Sequence, residues 1–164
     1  TLMTRPEFDV RVQETARGWI GVGFRNNGRT RSQGVDCLGL LLCVFREVGI
    51  EPPPESLTVA YRFDWCLHTI ESDMLAALRT YGREVIMADL QVGDVPYFAP
   101  GRLYRQRTDL VTHAGIYVGG GQFVHAATGK GVMESNLSVP AWAKRLSGVV
   151  RLLAVETSLT EVLV

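Results

Sequence analysis

Cysteine and histidine are the side chains whose proton exchange lies nearest neutral pH, and this chain holds only three of each. One cysteine, Cys37, stands in the stretch "QGVDCLGLLLCVF", directly after Asp36 and at the seam between a polar loop and an apolar run. Two of the three histidines, His113 and His125, fall together in "VTHAGIYVGGGQFVHAAT". A thiol at the first turn of a helix has its thiolate stabilised by free backbone N–H groups and the helix dipole. An imidazole beside it stabilises the thiolate further as an ion pair, and can return the proton to a leaving amine. The reaction class that fits is acyl transfer through a thioester, most simply peptide hydrolysis. Cys37 is then the nucleophile, His113 the base and later the acid, and His125 the group that holds His113 in one tautomer. The backbone N–H of Cys37 would help bind the oxyanion.

These roles require particular elements. Asp36 is a good N-cap, and residues 37–48 are apolar nearly all round until Arg46 and Glu47, which predicts a buried helix. Gly49 closes it and "EPPPES" forbids its continuation. The two histidine-bearing runs alternate around Gly119, Gly120 and Gly121, a hairpin pattern. With the turn centred on Gly119, His113 lies directly opposite His125, about 5 Å apart at Cβ. Ala114, Ile116 and Val118 then face a core, and His113, Gly115 and Tyr117 face the other way. Elsewhere, residues 7–20 carry a moderate helical period, 21–34 read as loop, and 64–81 read as helical with a break near Ser72. "QVGDVPYFA", "GVMES" and "SGVVRLLAV" read as strands, and "VPAWAKRL" as a helical turn. Helices first and an antiparallel meander second make an α+β fold, read here as one domain over residues 1–164.

Lysine plus arginine equals aspartate plus glutamate at 17 each, so no basic excess points to a general nucleic-acid partner. No apolar run reaches the roughly 18 to 20 residues of a membrane helix. The N-terminal "TLMTRPEFDV" lacks the charged-then-apolar order of a signal peptide. Cys37 and Cys43 on one helix would be about 9 Å apart, too far for a disulfide, so the thiols are expected to be free and the compartment reducing. Cys43 and Cys66 read as packing residues and His68 as a surface position. Arg25, Arg29 and Arg31 precede the nucleophile, either as a solvated charged loop or as grips for substrate carboxylates. No C-x-x-C or H-x-x-x-H spacing suggests a metal, and no cofactor is expected.

"VDCLGLL" followed by "THAGIYVGGGQFVHA" resembles the NlpC-type cysteine peptidases, a papain-like family acting on cell-wall peptides. The family's Asp-Cys-x-Gly falls on Asp36, Cys37, Leu38 and Gly39, its His-x-Gly-Ile-Tyr on His113, Gly115, Ile116 and Tyr117, and its third polar residue on His125. The resemblance covers roughly residues 10–155. It implies a compact papain-like fold with N-terminal helices on an antiparallel sheet, and cleavage of an amide in the peptidoglycan stem peptide. It also gives Asp36 a possible second job, binding a substrate amine, and places Phe24, Leu38 and Tyr117 along the cleft. Many members carry Ser after the nucleophile and Tyr upstream, where this chain has Leu38 and Phe24. The apolar residue after the cysteine, and the wording "CLGLLLCVFREVGIEPP", resemble members from phage tails and gene-transfer-agent particles. That setting would make other tail or baseplate proteins its partners and place it in a virion acting on the host wall. The competing readings are a tail assembly protein with a vestigial site, and an amidase or transpeptidase using the same thioester.

Overall fold

The computed structural model describes residues 2–50, 73–99 and 111–160. A short strand β1 (Met3–Thr4) leads into α1 (Arg5–Gly18). Thr4 and Glu7 form a reciprocal capping box and Pro6 enters the first turn, which starts the helix two residues before its apolar pattern does. Phe8, Val12 and Ala16, spaced by four, make its buried stripe. A two-stranded ribbon of β2 (Arg29–Thr30) and β3 (Gly34–Val35) follows, inside a stretch expected to be loop throughout. Then comes α2 (Cys37–Val48), capped by Asp36 and ended by Gly49 in the left-handed region, with the bounds the sequence predicts. Every side chain from Cys37 to Phe45 is buried.

After α2 come α3 (Asp73–Tyr81), β4 (Gly82–Glu84), a 3-10 turn at Met87–Asp89 and β5 (Val95–Phe98). The expected helix over 64–81 is observed for its second piece; its first piece, with Cys66 and His68, lies outside the described residues. The remaining elements are β6 (His113–Ala114), β7 (Ile116–Gly119), β8 (Gln122–Ala127), β9 (Gly131–Asn136), α4 (Pro140–Ala143), β10 (Leu146–Leu152), α5 (Leu153–Ser158) and β11 (Leu159–Thr160). The last expected strand, residues 147–155, therefore turns into helix at Leu153. An apolar run without a turn residue gives no local stop signal, and tertiary packing sets the boundary.

One antiparallel sheet has the order β4-β10-β5-β6 and a second the order β7-β8-β9. They join where the chain bends at Gly115, whose N–H donates to the Pro96 carbonyl at 3.0 Å. A Cβ there would meet Phe123 at 2.8 Å and the Val124 carbonyl at 3.0 Å, so only glycine lets the bend press against β8. The helices α1 and α2 pack on each other, α1 also on β7, and α2 on β6 and β8, around a core that includes Phe8, Leu40, Phe45, Ile116 and Val124. This is the α+β architecture expected.

The hairpin register departs from the expected one. Ile116 faces Val124, Tyr117 faces Phe123 and Gly119 faces Gln122, with a bulge between Tyr117 and Gly119. The turn is therefore Gly120–Gly121, both at positive φ, as the tight two-residue hairpin turn requires. His113 does not lie opposite His125; it sits in β6, opposite Phe98 in the other sheet. Side-chain parity survives: Ala114, Ile116 and Val118 are in the core, while His113 and Tyr117 are partly exposed.

Candidate functional site

Asp36 is fully buried, and the start of α2 is built around it. Its Oδ1 accepts from the backbone N–H of Gly39 at 2.8 Å and from Arg29 Nη1 at 3.1 Å, while Oδ2 accepts from the N–H of Asn27 at 2.6 Å. One carboxylate thus caps the helix and ties down the preceding loop. Asn27 reaches it from a left-handed conformation, φ 60°. Cys37 follows as the first helical residue, buried at 4% exposure.

The helix that starts at Cys37 packs on the two strands that carry His113 and His125. The imidazoles meet diagonally: His113 Nε2 lies 2.8 Å from His125 Nδ1. His125, with 0% exposure, then places its Nε2 2.8 Å from Ser135 Oγ. On β9, Met133 is the residue opposite His125 and Ser135 is opposite Phe123, so Ser135 also reaches across a diagonal. One residue from each of β6, β8 and β9 makes a continuous polar line. His113 spends Nε2 on His125, which leaves Nδ1 to exchange a proton with a thiol.

Aromatic rings enclose this line. Trp142, from α4, stacks on His113 with centroids 5.6 Å apart and meets His125 edge-on at 4.7 Å. Phe123 stacks on His125 at 4.6 Å, and Phe98 lies 5.7 Å from His113. Arg145 sits over the Trp142 ring at 5.0 Å, and its Nε donates to the Ala99 carbonyl. Burial holds His113 well below the usual imidazole value, with His125 and Arg145 adding to the effect. Burial first, then Arg145 and Lys130, pushes His125 down to about 4. Burial thus disfavours the charged form of both rings.

The structure brings His113 and His125 into direct contact and gives the other expected positions packing environments. Phe24 forms a single bridge with Val35 and packs against the core, and Leu38 is buried. The Tyr117 hydroxyl accepts from the N–H of Gly121 at 3.0 Å, clamping the hairpin turn. Arg31 chelates Glu47, lies 4.1 Å over the Trp19 ring and donates to the Gly18 carbonyl. Cys43 is buried, donates its thiol to the Arg29 carbonyl at 3.2 Å, and has its pKa pushed up by burial. Among the described residues no group of three His, Cys, Asp or Glu is placed to hold a metal ion, and no helix is long and apolar enough to cross a membrane. Sequence reasoning missed Ser135, Trp142 and Arg145. "VPAWAKRL" read only as a helical turn and "GVMES" only as a strand, since nothing local marks a residue whose partners lie in other strands.

A sequence profile of the NlpC/P60 family matches residues 21–151. The murein DD-endopeptidase MepS/murein LD-carboxypeptidase of Escherichia coli (strain K12) is 32% identical over 145 residues, spanning 88% of this chain and 63% of that protein. Gamma-DL-glutamyl hydrolase of Bacillus subtilis (strain 168) is 31% identical over 144 residues, spanning 87% of this chain and 29% of its own length. The chain thus spans less than two thirds of either relative. The crystal structure of a lipoprotein-like NLP/P60 family protein from Staphylococcus aureus superposes with a TM-score of 0.63 at 24% identity, covering 93% of this chain and 43% of that one. That likeness is one of fold, and it agrees with the profile: the chain belongs to the NlpC/P60 family.

Proposed function

We propose that this chain is a cysteine peptidase that hydrolyses an amide bond in peptidoglycan stem peptides. The observation that carries the reading is the His113–His125 bond, which commits Nε2 of His113 and leaves Nδ1 for the thiol of Cys37. Sγ of Cys37 attacks the amide carbon as its proton passes to His113 Nδ1. The oxyanion is met by the backbone N–H of Cys37 at the helix start. The tetrahedral intermediate collapses, His113 gives the proton to the leaving amine, and a thioester remains. Water then attacks the thioester while His113 takes its proton; the acid departs and the thiol is restored. Asp36 acts from beneath, holding the first turn of α2, and Phe24, Leu38 and Tyr117 supply apolar wall to the cleft. Residues 1–164 act as one domain in this reading.

One relative, named for murein, supports an amide of the wall as substrate, and a second, named for a γ-DL-glutamyl bond, supports amide hydrolysis. The setting proposed is the tip of a phage or phage-like tail, with tail or baseplate proteins as neighbours and the host wall as the site of action. It is supported by Leu38 after the nucleophile and by the run that follows it.

Purified peptidoglycan incubated with the wild type and with Cys37→Ala, and read by mass spectrometry, tests the reading. Stem-peptide fragments released by the wild type alone identify the bond; fragments with a new amide in place of an acid reveal transpeptidation. No release by a folded wild type would move the assignment to an assembly protein with an unused site. Detection of the chain in purified tail particles by peptide mass spectrometry tests the setting, and its absence from them overturns it.

A further inference from the structure

The role of His113 requires a proton acceptor two residues away from the chemistry. To accept the thiol proton at Nδ1, neutral His113 must carry its own proton on Nε2 and donate it to His125 Nδ1. His125 must then be protonated at Nε2. Its ring is fully buried, so that N–H needs an acceptor inside the protein. The acceptor present is Ser135 Oγ, 2.8 Å away. When His113 becomes imidazolium the direction is the same, Nε2–H of His113 to His125 and Nε2–H of His125 to Ser135. The reverse direction, with the Ser135 hydroxyl donating into the ring, would place a proton on His125 Nδ1. His113 Nδ1 would then carry its proton already and could take none from Cys37.

Resting on the peptidase reading, we propose that Ser135 is a positioning residue: its Oγ accepts the Nε2–H of His125 and so keeps Nδ1 of His113 open as the base. Its place at the sheet edge suits this. The chain order β7-β8-β9 leaves β9 outermost, and Ser135 is partly exposed, so its own hydroxyl proton can be given to solvent. The buried imidazole thereby has a polar exit that the aromatic rings around it do not supply. The cations facing His125 are Arg145 and Lys130, and the titratable neighbour is His113. None is altered by a change at Ser135.

Nitrogen NMR of 15N-histidine-labelled wild type, Ser135→Ala and Ser135→Thr at neutral pH reads the tautomers without any substrate. The wild type and Ser135→Thr should hold His125 protonated at Nε2, and Ser135→Ala should populate both tautomers. On peptidoglycan fragments, kcat should fall about tenfold in Ser135→Ala with KM unchanged and return with Ser135→Thr, as loss of one buried hydrogen bond implies. An unchanged His125 tautomer in Ser135→Ala overturns the proposal, and so does a kcat loss that Ser135→Thr fails to restore. A tautomer shift in a protein that cleaves no wall peptide would uphold the role of Ser135 and remove the peptidase reading alone.

Discussion

Two cysteines on one helix have opposite surroundings. Cys37 is the first residue of α2, at the positive end of the helix dipole, whereas Cys43 is bonded to a carbonyl and burial raises its pKa. Iodoacetamide followed by peptide mapping should therefore label Cys37 at least about tenfold faster than Cys43; equal slow labelling would remove Cys37 as nucleophile. The histidines predict a stability profile. His125 titrates near 6.5 when unfolded and at about 4 when folded, so between those values the unfolded chain binds more protons. Stability is whole above about 6.5 and falls as pH drops toward 4. His113 is displaced in the same direction and adds to the slope. Urea midpoints measured from pH 7.5 to 4.5 should decline for the wild type and decline less for His125→Gln; a flat profile would show that the ring is not desolvated as described.

The elements explain why the motif contains a glycine two places after the nucleophile. A Cβ on Gly39 would lie 2.1 Å from the Gly28 carbonyl oxygen and 3.2 Å from Asp36 Oδ1. The loop before β2 is pressed against the first turn of α2, and its grip on Asp36 depends on that contact. Gly39→Ala should lower stability by about 3 kcal/mol in chemical denaturation and slow Cys37 alkylation as well. A change below about 0.5 kcal/mol would show that the loop moves aside freely. The same comparison marks how far the sequence can be read. Both ends of α2 are legible because Asp36 and Gly49 act on their own backbone neighbours. The hairpin is legible as a hairpin because alternation and glycines are local signals. Its register is not, since Gly119 joins a bulge and the turn moves to Gly120–Gly121. His113 and His125 still meet, because a long diagonal reach across the face replaces the direct opposition expected. Ser135 and Trp142 touch the histidines only through tertiary folding, so no window of sequence contains them together.

At the scale of the molecule, the sheet that carries His113 is fixed by a buried ion pair. Arg151 on β10 donates to both carboxylate oxygens of Asp94, at 2.8 and 2.9 Å, and to the Asp89 carbonyl. Asp94 is 1% exposed and Arg151 8%. Arg151→Met should cost about 3 to 5 kcal/mol, since it strands a buried carboxylate, and adding Asp94→Asn should recover part of the loss. Equal stability of wild type and Arg151→Met would show that solvent already reaches the pair.

The strand pairing of Met3–Thr4 with Leu159–Thr160 is parallel, and it sets the two extremities of the described fold one strand spacing apart, about 5 Å. In topological terms the path is almost a ring, with its gap at the clasp of β1 and β11. Anything fused before Met3 and anything fused after Thr160 share one attachment point, as on a pendant. A fluorescent tag or a scaffold joined at either end would hang from the same spot on the molecule, which makes this fold a compact cassette for splicing into a larger assembly.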